Sequence, residues 1–89
     1  MIMARSLAGH DKNKIYLVIE ETDILVTLVN GTTKKLKSPK VKAKKHVQAI
    51  KVLPLEIEKE REEIINLTDE KIAHLLKRYE KAISLKEDI

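Results

Sequence analysis

"KIYLVIEETDILVTLVNG", Lys14 to Gly31, decides the fold class. Lys14–Glu20 and Asp23–Val29 are nearly continuous apolar runs, short and rich in β-branched residues, a length and composition that favour strand over buried helix. Asn30-Gly31 then gives a hairpin signal, because a type I′ turn needs positive φ at both central positions. Working outward, Ile2–Ser6 reads as a short strand and Thr32–Lys37 as the return strand of the hairpin, ended by Ser38-Pro39. His46–Leu53 reads as a last strand stopped by Pro54, which cannot donate to a ladder. Several short strands with closely spaced turns predict a small, strongly bent sheet or barrel over residues 1–53.

Residues 54–89 read as a helical appendage packed on that barrel. Glu56–Ile65 is a weakly patterned helix: Ile57, Ile64 and Ile65 can share a face, although Glu56, Glu58 and Glu60 alternate as in a strand. The next helix is sharply marked. Thr68 is a good N-cap, Asp69 and Glu70 sit at the positive end of the dipole, and Leu67 and Ile72 are spaced as a hydrophobic staple. Ile72, Leu75, Leu76, Tyr79 and Ile83 form one apolar stripe at helical spacing, which must be buried. The predicted fold class is mainly β with one or two C-terminal helices.

The chain has 89 residues and no cysteine. That length predicts one thin-cored domain, without a disulfide framework or thiolate zinc site. No apolar run reaches the ~20 residues of a membrane span and "MIMARS" lacks a signal-peptide core, so the expected location is cytoplasmic. Charge is divided unevenly. Met1–Leu53 holds 11 Lys/Arg against 4 Asp/Glu, whereas Pro54–Ile89 holds 7 against 10. Lys34, Lys35, Lys37, Lys40, Lys42, Lys44 and Lys45 follow one another with no acid among them. Such a block stays solvated unless a polyanion takes it up, which makes nucleic acid the leading partner class for the front half.

"ARSLAGHDKNKIYLVIE" resembles the KOW motif of bacterial KOW-domain RNA-binding proteins, a family related to archaeal and eukaryotic large-subunit ribosomal proteins. "KSPKVKAKKHVQ" is similar to the family's lysine-rich "NPKKKKxKHL" segment, and "NLTDEKIAHLLKRY" to its C-terminal "LTDEDIRRALKEY". Three separated matches in the right order cover nearly the whole chain. The resemblance implies an SH3-like five-stranded barrel whose loops contact structured RNA, with ribosome association. Two positions depart from the family. Asn13 stands where the family has Gly, a substitution a positive-φ turn tolerates at modest cost. The usual Gly-x-Val-Val lead-in is missing, which predicts that Ile2–Arg5 pairs poorly.

Carried over position by position, Arg5, His10, Lys12 and Lys14 are the RNA-facing part of the motif, with Gly9 and Asn13, and later Asn30 and Gly31, setting turn geometry. Asp11 is expected to cap the turn or pin a neighbouring lysine, since a carboxylate facing phosphate is repelled. In the lysine block, Lys40, Lys42 and Lys44 alternate, so an extended segment aims all three the same way and can track a backbone. His46 is placed to bond phosphate or a backbone carbonyl. The plainer account of each group is an ordinary charged hairpin and a flexible solvated loop. Arginine is scarce here, which argues against bidentate base reading. With no Trp or Phe and only two Tyr, there is no aromatic platform for single strands, so folded RNA read by shape and backbone fits better. Lys71, His74, Lys77, Arg78 and Lys81 lie opposite the apolar stripe of the last helix. They are either a second RNA contact or a solvated face relieved by Glu70 and Glu80.

His10, His46 and His74 lack ligand spacing, and Ser6, Ser38 and Ser84 lack the context of an activated nucleophile. No phosphate-binding GxxxxGK[ST] or GxGxxG is present. The sequence therefore predicts no enzyme, no metal, no cofactor and no small-molecule substrate. The expected function is a non-catalytic RNA-binding protein that binds structured ribosomal RNA and associates with the ribosome or its assembly, with ribosomal proteins as further partners. The competing classes are an adaptor docking on ribosomal or transcription machinery, whose binding would survive high salt, and a double-stranded DNA binder.

Overall fold

The computed structural model describes residues 1–87. Five strands come first: β1 (Met3–Ser6), β2 (Ile15–Glu21), β3 (Leu25–Val29), β4 (Lys40–Ala43) and β5 (Val47–Ala49), with a 3-10 turn over Lys44–His46 between the last two. Two helices follow, α1 (Leu55–Glu63) and α2 (Asp69–Glu87). All strand pairs are antiparallel, in the order β4-β3-β2-β1-β5. This is the meander of an SH3-like barrel with β5 returned beside β1. The barrel is not closed, because β4 and β5 do not pair with each other.

The apolar runs of β2 and β3 are explained by burial on both sheet faces. One face carries Ala4, Tyr16, Val18, Val26, Leu28 and Val47, packed as the inner cluster of the curled sheet. The other carries Met3, Leu17 and Val29, which pack with Ile57, Ile72, Leu75, Leu76 and Tyr79 of the helices. Alternate residues along β2 therefore enter different cores, and a strict polar alternation would have opened one of them to water. A register shift between Val18 and Glu20 marks a bulge. Such an extra residue bends its strand and adds twist, which helps the sheet curl.

Four expectations need correction. β1 pairs on both sides, Met3–Arg5 with β2 and Ala4–Ser6 with β5, and Met3 and Ala4 are fully buried, one in each core. Asn30-Gly31 is not a type I′ hairpin: Gly31 has φ 77° but Asn30 does not have positive φ. The Asn30 carboxamide oxygen accepts from the N–H groups of Thr32 (3.0 Å) and Lys34 (2.8 Å), closing a loop where a return strand was expected. Leu36 N–H then donates to the Asp69 carboxylate at 2.9 Å, so Thr32–Lys37 is tied to α2 and the chain rejoins the sheet only at Lys40. The last strand stops at Ala49, not Leu53: Ile50 N–H donates to O of Met3, the first residue of β1, at 3.0 Å, and Ile50 and Leu53 then pack against the helix-side core. Finally, α1 ends at Glu63, with only Ile57 fully buried and Ile65 left 92% exposed.

α2 follows its sequence signals closely. Thr68 Oγ1 accepts from Lys71 N–H at 3.2 Å, satisfying one orphan donor of the first turn. Ile72, Leu75, Leu76 and Tyr79 are buried in the helix-side core, with Leu67 and Ile83 packed against it. The helix start also presses on the β3–β4 loop. A Cβ on Gly31 would lie 2.2 Å from Asp69 O and 2.8 Å from Ala73 N, so Gly31 is required for contact as well as for φ. Among the described residues, no helix is long and apolar enough to cross a membrane.

Candidate nucleic-acid interface

The β1–β2 loop, Leu7–Lys14, is fixed by its own backbone. Lys12 N–H donates to Gly9 O (3.2 Å), Lys14 N–H to Asp11 O (2.9 Å) and Asn13 N–H to Ser6 O (2.8 Å). These turns need left-handed backbone at Gly9 (φ 85°) and Asn13 (φ 73°), the two positions expected to set the geometry. Asn13 holds this left-handed position without being glycine, since its short polar side chain is tolerated there. His10, Lys12 and Lys14 are exposed, while Arg5 is half-buried with Nη1 at 3.5 Å from Asn13 O. Leu7 N–H donates to His46 O at 2.9 Å, which brings the Lys44–His46 turn against this loop.

Asp11 turns inward, only 6% exposed, and organises the region. Its Oδ1 accepts from Ser6 Oγ (3.0 Å) and Lys42 Nζ (2.9 Å), and its Oδ2 from Tyr16 OH (3.0 Å) and Lys40 Nζ (2.7 Å). Lys42 Nζ also donates to Ala8 O at 2.9 Å and to Ser6 Oγ, which accounts for all three of its protons. Burial on its own would raise the Asp11 pKa, but hydrogen bonds from Lys40, Lys42, Ser6 and Tyr16 outweigh it and hold the carboxyl well below its usual range. Tyr16 is pushed the other way, to about 12, by burial first and then by its bond to the Asp11 carboxylate and that group's charge.

The lysine block accordingly splits. Lys40 and Lys42 lie on β4 and reach one carboxylate of the protein itself, whereas Lys44 lies beyond the strand, in the 3-10 turn. Lys40 and Lys42 meet Asp11, and Lys44 Nζ lies 2.6 Å from Glu21 Oε2. The Glu21 carboxyl is lowered to about 2, chiefly by its hydrogen bond from Lys44 and then by that from the Met1 amine. Lys40 and Lys42 tether β4 to the β1–β2 loop and Lys44 tethers the 3-10 turn to the end of β2, and this intramolecular pairing removes all three from a row of free cations. By contrast, Lys35, Lys37, Lys45 and His46 are exposed and Lys34 is half-buried. Among the described residues no carboxylate pairs with these four lysines.

The basic face of α2 also divides. His74 Nε2 and Arg78 Nη1 approach Glu60 of α1 at 3.8 and 3.1 Å, and Lys71 Nζ donates to Asn66 O at 2.9 Å. The relieving acid is therefore Glu60 from the neighbouring helix, in place of the Glu70 and Glu80 expected from spacing. Lys77 turns to a different place, a groove between α2 and the β3–β4 loop that Lys14 also lines.

Sequence reasoning found Asp11 as a pinning residue but placed its lysine nearby in the chain. The real partners lie on β4, and Ser6 and Tyr16 were missed as donors. The only signal was Asp11 itself, a lone acid in a basic loop. No group of three His, Cys, Asp or Glu residues that could hold a metal occurs among the described residues. The chain matches no family model and no curated protein sequence.

Proposed function

We propose that this protein is a non-catalytic RNA-binding module that binds structured ribosomal RNA through the loops at one flank of its small barrel and associates with the ribosome or its assembly. The observation that carries this reading is the division of labour among cations. Asp11 and Glu21 are occupied by Lys40, Lys42 and Lys44, so Lys12, Lys14, Lys34, Lys35, Lys37 and Lys45 have no internal carboxylate partner among the described residues. A rigid loop with unneutralised ammonium groups is suited to displacing counterions from phosphates. Rigidity favours a folded target, because the cations cannot rearrange cheaply around a flexible strand. The same lysines approach phosphates as mobile point charges and lack the planar donor fork of arginine that favours bidentate base reading, so this reading rests recognition on shape and backbone spacing. The KOW-like sequence pattern agrees with this reading.

Crosslinking the protein in cells and mapping attached nucleotides and peptides tests it. The expected result is crosslinks from peptides covering Leu7–Lys14 and Lys34–His46 to structured ribosomal RNA. Recovery of crosslinks almost wholly to proteins would replace this reading with an adaptor role.

A further inference from the structure

Lys14 at the mouth of β2 and Lys77 on α2 line one groove of about 290 Å³, with Ile15, Ala73 and Leu76 among its apolar lining and Thr32 and Thr33 on the loop side. Thr32 and Thr33 also border the adjacent depression, which holds Lys34, Lys35 and Lys37. Two concavities that share a threonine pair thus form one track, running from the β1–β2 loop past α2 to the lysine-rich β3–β4 loop. We infer that this track holds a single ribose–phosphate strand of the bound RNA, with Lys14 and Lys77 engaging phosphate where the groove is narrow and Lys34, Lys35 and Lys37 engaging the phosphates that follow.

This assignment rests on the RNA-binding reading and deepens it by adding α2, which the barrel loops alone do not require. The chemistry of the track suits that occupant. The Thr33 hydroxyl, which accepts from Asn30 and keeps its proton, can donate to phosphate, the Thr32 hydroxyl can accept from a ribose 2′-hydroxyl, and an apolar lining accepts the faces of sugar or base. The loop side is pre-formed, because Asn30 Nδ2 donates to Thr33 Oγ1 at 2.9 Å and Asn30 Oδ1 accepts from the Thr32 N–H and hydroxyl. Gly31 holds that loop against the first turn of α2, so the two walls are fixed relative to each other. Glu80 is the one acidic group of the groove lining. It repels a phosphate strand and sets the end of the favourable path.

The test compares the full chain with Lys77→Gln, Glu80→Gln and the loop variant Lys12→Gln, measuring affinity for a folded ribosomal RNA fragment across a salt series. All three side chains are exposed, and unchanged thermal midpoints confirm intact folds. Losing one phosphate contact should weaken binding about five- to tenfold at 0.1 M salt and flatten the salt slope by about one. The track predicts this for Lys77→Gln, and it predicts tighter binding for Glu80→Gln at low salt that fades as screening sets in. If Lys12→Gln weakens binding while Lys77→Gln and Glu80→Gln change nothing, the track is refuted and the loop-centred function stands. If the unaltered chain fails to bind folded RNA even at low salt, both fall together.

Discussion

Replacing Asp11 by asparagine should unfold much of the stability of this small barrel. The carboxylate is the shared acceptor for two ammonium groups and two hydroxyls, and its side chain is 9% exposed. Lys42, at 12% side-chain exposure, cannot turn to water without leaving the Ala8 carbonyl and the Ser6 hydroxyl, whereas Lys40 at 30% is partly wet. Breaking a buried ion pair by removing one partner costs about 3–5 kcal/mol, and the wetter Lys40 lowers the expectation here to about 2–4 kcal/mol. A chain of this length has about 5–10 kcal/mol in all, so the loss is a large share. In a thermal melt followed by circular dichroism, the midpoint should fall about 10–25 °C. The variant Asp11→Asn with Lys42→Met should recover part of that loss, because an apolar side chain needs no counter-charge. A fall of less than about 3 °C for Asp11→Asn would show that the cluster is not a structural tether, and that Lys40 and Lys42 are available to ligands after all.

Gly31→Ala forces a Cβ into Asp69 O and onto a φ of 77°, so it should lower the melting midpoint by well over 10 °C or abolish folding, read by the same melt. Thr68→Ala removes the acceptor for Lys71 N–H and should cost about 1 kcal/mol in a urea titration. Because Asp11 and Glu21 have lowered pKa values in the folded chain, their contribution is fully present above the usual carboxylate range near pH 4 and is lost as pH falls toward and below 2. Midpoints measured from pH 6 down to pH 2 should drop, and the gap between the natural chain and Asp11→Asn should narrow with them. Tyr16 has a raised pKa, so its contribution is present below about pH 10 and is lost as pH rises through about 12. Ultraviolet titration of the phenols in a Tyr79→Phe background should show this late ionisation, and a Tyr16 midpoint near 10 would contradict it.

β2, β3 and α2 were legible because their signals are local. β2 and β3 declare themselves by β-branched runs, and α2 by a cap, a charged first turn and an apolar stripe. The lysine-rich segment was not, because its conformation is decided at long range. Alternation at Lys40 and Lys42 agrees with both reaching Asp11, whereas Lys44 lies past the strand and meets Glu21, and spacing cannot say that these carboxylates wait 29, 31 and 23 positions earlier in the chain. The Asn30-Gly31 signal misled for a related reason. Asn30 uses its carboxamide to close a wider loop that α2 then clamps through Asp69, and a contact across the fold overrides a dipeptide preference. Asn13 is the opposite case: a non-glycine residue expected to sit in a positive-φ turn, and its φ of 73° agrees.

The most direct test of the account is the dependence of RNA affinity on salt. Binding of the full chain to a folded ribosomal RNA fragment, measured by fluorescence anisotropy from about 50 to 300 mM potassium chloride, should show log K falling with log salt at a slope of about −3 to −4, as expected when about four or five phosphates are neutralised. Binding that is absent at 50 mM, or whose strength is the same at both ends of the series, would contradict a function built on unneutralised loop lysines.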